Sequence, residues 1–181
     1  MLKEVLVLLF SLYLPLVCTG PETVYLGDSL TMADPGYIGV GERVVTYHLA
    51  DSILWLEDSG YHGRVVLELG IHAVHGSDRL YFDNSDLFRY RYWQLLSAAR
   101  EHSGEVVVLN IPWLDWGPEK YERAGEFNAI IQDLAEGMGV CVVDTWKVME
   151  SCGLECIGDD GFHPNDLGYE LIRGELAECL P

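Results

Sequence analysis

Apolar and polar positions fall into two alternating kinds of segment along the chain. Short apolar runs bounded by turn residues recur at Val24–Leu26, Tyr37–Val40, Val65–Leu69, Val106–Ile111 and Val140–Val143. Three of them are rich in valine, as strands buried on both faces are. Longer stretches with helical spacing lie between them. Arg43–Asp58 sets Val44, Tyr47, Leu54 and Trp55 on one helix face, and Leu87–Glu101 does the same with Tyr90, Leu95 and Ala98. Lys120–Gly137 carries Phe127, Ile130, Ile131 and Leu134, with Gly137 and Gly139 as stop signals. Asp166–Cys179 carries Leu167, Leu171, Ile172 and Leu176, with Asp166 as a first-turn acid. Strands alternating with helices predict an α/β fold, a parallel sheet of about five strands covered by helices on both faces.

The first twenty residues stand outside this pattern. One lysine precedes an apolar run from Val5 to Val17, and the small residues Thr19 and Gly20 follow. That is the layout of a secretory signal peptide over residues 1–20, with a single domain over 21–181. The run is short for a membrane-spanning helix. The alternative is a buried first strand, but five strands already complete a small sheet and leave this run surplus. The expected location is therefore secreted or extracytoplasmic, with membrane contact only through the uncleaved leader. A lipoprotein anchor at Cys18 fits less well, because Val17 stands where a small residue is needed.

Composition bounds the rest. The 181 residues, 49% apolar and 22% charged, suit one globular domain with a real core. A formal charge of -18 argues against nucleic acid and anionic membranes as partners. Five cysteines are present, and removal of the leader would leave Cys141, Cys152, Cys156 and Cys179. Cys152 and Cys156 lie close together in a loop-like stretch and are the favoured disulfide pair. Cys141 sits in an apolar strand and reads as an inert core thiol. A zinc site from Cys152, Cys156 and His163 lacks a clear fourth ligand.

Two short stretches carry candidate chemistry. In "VYLGDSLTM", residues 24–32, an apolar strand runs straight into Gly27-Asp28-Ser29. Such residues end strands as turn formers, yet the carboxyl end of a parallel strand is also where open α/β sheets place ligands. In "DDGFHPNDLGY", residues 159–169, Asp160 and His163 lie three apart just before the last helix. A serine nucleophile needs an imidazole to take its proton and a carboxylate to hold that imidazole. Each residue alone would pass as an ordinary loop residue; together they form the second half of a triad.

"GDSLT" and "DGFHPNDLGY" resemble the first and last sequence blocks of the SGNH, or GDSL-type, hydrolases, and the resemblance runs from Val24 onward. It implies a flavodoxin-like three-layer sandwich, with Ser29 as nucleophile and Asp160 and His163 completing the triad. No metal or organic cofactor is implied. The middle blocks depart from the family pattern. In "ELGIHAV" Gly70 is kept, but His72 stands where the family's oxyanion asparagine is expected and Ala73 where an aspartate is. A neutral imidazole retains one N–H donor, so His72 is the candidate replacement. A second oxyanion N–H would come from Gly41 in "GVGER", in preference to Gly39 or to Ala50 in "HLADS". The N–H of Ser29 would complete the set.

Trp113 and Trp116 in "NIPWLDWGPEKY" follow the fourth predicted strand and could stack on a sugar ring or acyl chain, or cap the core beneath the loop. His75 reads as a surface residue. The compact spacing between Ser29 and Gly70 is similar to that of SGNH domains that act on cell-wall and polysaccharide O-acetyl groups. The expected activity is hydrolysis of a small acyl ester, possibly on carbohydrate. An O-acyltransferase, a lysophospholipase and a non-catalytic binding domain stay open as alternatives.

Overall fold

The structure is a computed structural model that describes residues 23–33, 42–46, 48–75, 79–115 and 117–180. The leader, the Tyr37–Val40 run, Gly41 and Trp116 lie outside the described residues. The sheet has five parallel strands, β1 (Thr23–Gly27), β2 (Glu42–Val45), β3 (Arg64–Glu68), β4 (Glu105–Leu109) and β5 (Cys141–Val143), in the order β2-β1-β3-β4-β5. Their helices are α1 (Ser29–Ala33), α2 (Leu49–Ser59), α3 (Ile71–His75), α4 (Arg79–Phe82), α5 (Ser85–His102), α6 (Pro118–Met138), α7 (Thr145–Cys152) and α8 (Asp166–Cys179). This is the doubly wound parallel sheet expected from the alternating pattern, and the flavodoxin-like sandwich that the family resemblance implies.

Strand periodicity builds two cores. Leu26, Val65, Leu67, Val106 and Val108 point to one face, under Leu56, Tyr92, Leu95, Leu96, Phe127 and Ile131 of α2, α5 and α6. Phe88 and Phe127 stack there with ring centroids 4.0 Å apart, joining α5 to α6. Tyr25, Val66, Val107 and Val143 point to the other face, under Met149, Ile172 and Leu176 of α7 and α8. Register sets the carboxyl ends level: Gly27 pairs with Glu68, Glu68 with Leu109, and Leu109 with Val143. The loops that leave these positions therefore form one rim.

Several expectations are corrected. The second strand is Glu42–Val45, where the spacing predicts the start of a helix. Val44 pairs with Leu26, and Val45, beside Gly27, is exposed, as an edge strand allows. The two-residue apolar run Val44–Val45 fits either period, and here edge pairing wins. The helix that follows starts at Leu49, and Leu54 is exposed where a buried face is expected. Tyr90, Leu167 and Leu171 are also exposed, because α5 and α8 bury Tyr92, Leu95, Tyr169, Ile172 and Leu176 instead. Cys141 is no core thiol. It is exposed on the edge strand and bonds Cys179 at the end of α8. The Cys152–Cys156 disulfide is present as expected, so neither sulfur is a free thiolate for zinc.

Candidate active site

Ser29 opens α1 immediately beyond β1. The chain can turn there because Gly27 has no side chain: a Cβ would lie 1.8 Å from Thr31 Oγ1 and 2.9 Å from the Glu68 carbonyl oxygen. Thr31 Oγ1 uses that space to donate to Glu68 Oε2 at 2.5 Å. Asp28 is buried, and its Oδ1 accepts from the Leu30 N–H at 3.1 Å. Burial pushes its carboxyl up to about 7, against the pull of the backbone N–H groups of Leu30 and Asp28 itself. The Tyr169 hydroxyl donates to the Leu30 carbonyl at 3.0 Å, tying α8 to α1.

The far end of the chain meets Ser29 on this rim. His163 Nε2 lies 3.2 Å from Ser29 Oγ, and His163 Nδ1 lies 2.6 Å from Asp160 Oδ2. Asp160 Oδ1 accepts from the N–H groups of Phe162 and His163, each at 2.9 Å. The His163 side chain first, and then these backbone donors, hold the Asp160 carboxyl down at about 2. An ionised carboxylate only accepts, so Nδ1 of His163 donates to it. Nε2 then presents its lone pair to the Ser29 hydroxyl. This geometry lets a serine lose its proton as it attacks and lets the resulting imidazolium persist beside a charge.

His72 is the second residue of α3 and stands half-buried on the same rim, at the carboxyl end of β3, with its Nε2 shielded from solvent. His75 is exposed at the end of α3, where its ring meets Phe162 edge-on at 5.3 Å. Partial burial, then the nearby Lys120 charge, lowers its basicity. Phe162 in turn meets the His163 ring edge-on at 5.0 Å. Trp113 is half-buried and packs against the α7–α8 core.

Residue-type reasoning overlooks the polar clamps beneath the rim. Asn128 of α6 accepts from the Ile111 N–H and donates to the Ile111 carbonyl, both at 2.8 Å, which fixes the loop bearing Trp113. Asn110 donates to Asp144 at 2.9 Å and accepts from Thr145 and from the Trp146 N–H, locking the β4 and β5 ends together. Asn110, directly after β4, was the available signal; Asn128 lies inside a helix and gives none.

Comparisons with known proteins bear on the fold and the family. The family model described as GDSL-like Lipase/Acylhydrolase family matches residues 25–171. No curated protein matches the sequence at a significant level. The acetyl xylan esterase AlAXEase shares 18% identity with a TM-score of 0.70, over 88% of this chain and 100% of its own. LAE5, an alpha/beta hydrolase enzyme from the metagenome of Lake Arreo, Spain, shares 15% identity with a TM-score of 0.66, over 87% and 93%. Axe2, an acetylxylan esterase from Geobacillus stearothermophilus, shares 14% identity with a TM-score of 0.64, over 86% and 92%. At these identities the likeness is one of fold. The family match covers most of the chain and both candidate blocks, and the chain accordingly belongs to the GDSL-like lipase/acylhydrolase family, as a serine hydrolase acting on ester bonds.

Proposed function

We propose that Ser29, His163 and Asp160 perform this hydrolysis outside the cytoplasm, on a small acyl ester carried by a carbohydrate. The observation that carries the assignment is the pair of contacts at His163, 3.2 Å to Ser29 Oγ and 2.6 Å to Asp160 Oδ2. Ser29 Oγ attacks the ester carbonyl carbon while its proton moves to His163 Nε2. Asp160 stays ionised and steadies the imidazolium. The N–H groups of Ser29 and Gly41 and the His72 imidazole receive the charge that develops on the carbonyl oxygen. His163 then returns the proton to the departing alcohol, and water repeats the sequence on the acyl-serine. Trp113, and Trp116 which lies outside the described residues, are the side chains assigned to stacking on the sugar.

The carbohydrate reading is supported by fold neighbours such as Axe2, an acetylxylan esterase, by the two tryptophans and by the compact first half of the chain. Export is supported by the apolar leader and by two disulfides, which persist in oxidising compartments. The decisive experiment compares the parent with Ser29→Ala on p-nitrophenyl acetate and on acetylated xylan. Loss of turnover with an unchanged thermal midpoint is expected. Undiminished turnover in Ser29→Ala would remove Ser29 from the mechanism.

A further inference from the structure

We infer that the Cys152–Cys156 disulfide and Asn165 are positioning elements of the active site, which set the distance from His163 to Ser29 by bracing the loop that carries His163. The inference rests on the proposed role of Ser29, Asp160 and His163.

The loop is a small closed unit. Ile157 and Pro164 form an antiparallel bridge, and the Gly158 N–H donates to the His163 carbonyl at 2.8 Å. The unit is anchored through Asn165. Its backbone N–H donates to the Cys156 carbonyl at 2.9 Å, and its Nδ2 donates to the carbonyls of Glu155 at 2.7 Å and Ile157 at 3.2 Å. Its Oδ1 accepts from the N–H groups of Leu167 and Gly168, capping α8. One residue thus joins the His163 loop, the last helix and three successive carbonyls at the end of a single turn, two through its side chain and the middle one through its backbone N–H.

That turn is the 3₁₀ segment Gly153–Cys156, and the Cys152–Cys156 bond closes it onto the end of α7. Cys156 is fully buried beside Met149 and Ile172. Gly168 of α8 presses on it so closely that a Cβ would lie 2.7 Å from the Cys156 carbonyl oxygen. The acceptors for Asn165 are therefore held from behind by the disulfide and from the side by α8. Without the cross-link the turn keeps its packing but loses the covalent closure that fixes where its carbonyls point. His163 then samples positions away from Ser29. A displacement of about 1 Å at reacting atoms can reduce turnover about 100-fold, while substrate binding is untouched.

The second disulfide supplies an internal control. Cys141–Cys179 closes a longer loop at the opposite end of β5 and α8, away from the rim. The test measures kcat and KM on p-nitrophenyl acetate for the full chain, for Cys152→Ala/Cys156→Ala and for Cys141→Ala/Cys179→Ala, well below each thermal midpoint. The first pair should lower kcat about tenfold or more with KM unchanged. The second should lower the thermal midpoint and leave kcat within twofold. Asn165→Asp keeps the helix cap but loses both Nδ2 donors, so kcat should fall while helix content by circular dichroism is retained. If the Cys152→Ala/Cys156→Ala protein does not fold, treating folded Cys141→Ala/Cys179→Ala protein with a dithiol opens the remaining bond; kcat should fall and return on reoxidation. Unchanged kcat in folded Cys152→Ala/Cys156→Ala, or in the reduced protein, overturns the inference. A parent whose activity survives Ser29→Ala fails the site assignment instead, so the two failures are distinct.

Discussion

Asp28 shows how burial beside Ser29 ties stability to pH. Its carboxyl is raised from 3.8 to about 7 by burial. Below about pH 4 the folded and unfolded chains both hold this proton, and the group contributes nothing. As pH rises toward 7 the unfolded chain releases the proton and the folded chain keeps it, so stability falls. Asp28→Asn removes that loss. The thermal midpoint of the variant relative to the parent should therefore climb between pH 4 and pH 8; parallel curves would show that Asp28 does not titrate in this window. Asp160 has the opposite sign. Its carboxyl lies below the ordinary value, so its contribution is full above about pH 4 and disappears as pH falls toward 2. His72 yields a kinetic prediction. In its proposed role as oxyanion donor it would act mainly in the transition state, so His72→Ala should lower kcat about 100-fold or more with little change in KM. His72→Asn should recover part of the rate. Equal, harmless effects of both substitutions would mean that His72 only packs.

At the level of elements, stability concentrates where α5 and α6 meet the sheet. Phe127 is fully buried and stacks on Phe88 at 4.0 Å, so Phe127→Ala should cost about 3–5 kcal/mol of unfolding free energy. Urea titration with an unchanged slope would report it; a loss under about 1 kcal/mol would show that the core closes over the gap. The long helices were legible from sequence because each repeats its apolar pattern over several turns, as in Lys120–Gly137 against the observed Pro118–Met138. Short elements were not. The eight residues of α7 bury only Thr145 and Met149, too few to establish a period. Arg43–Val45 reads equally as strand or helix until β1 is there to pair with it. Cys141 looked internal because an edge strand has the same apolar composition as a central one. The reactive side chains were legible because their chemistry demands particular residue types. Their support was not, since the side chains of Asn165, Asn128 and Tyr169 bind backbone groups of their partners, which any residue possesses.

For the whole molecule, the described fold runs from β1 to the helix that braces the His163 loop. No described helix is long and apolar enough to cross a membrane. The leader reading is tested by mass spectrometry of protein recovered from the culture medium. The first residue should lie at about position 20, as a signal-peptide cleavage site requires. A retained apolar segment in the recovered protein would instead assign those residues to the folded domain. The charge of -18 spreads over a surface whose few cations are partly engaged in pairs such as Arg64–Glu105 and Arg89–Asp133. Such a surface favours neutral or cationic polymers over anionic ones.

The contact between Ser29 and His163 spans 134 positions of sequence. At about 5–20 residues per second, a ribosome needs roughly ten seconds to travel between them. Throughout that interval the serine is an ordinary hydroxyl, because its base has not been made. Chains that stall or are clipped before α8 lack His163's brace and the Tyr169 bond to Leu30 together. With the proposed triad, a hydrolase laid out in this way stays inert until the His163 loop and the first turns of the helix behind it are in place, so copies that end before them are silent without any inhibitor.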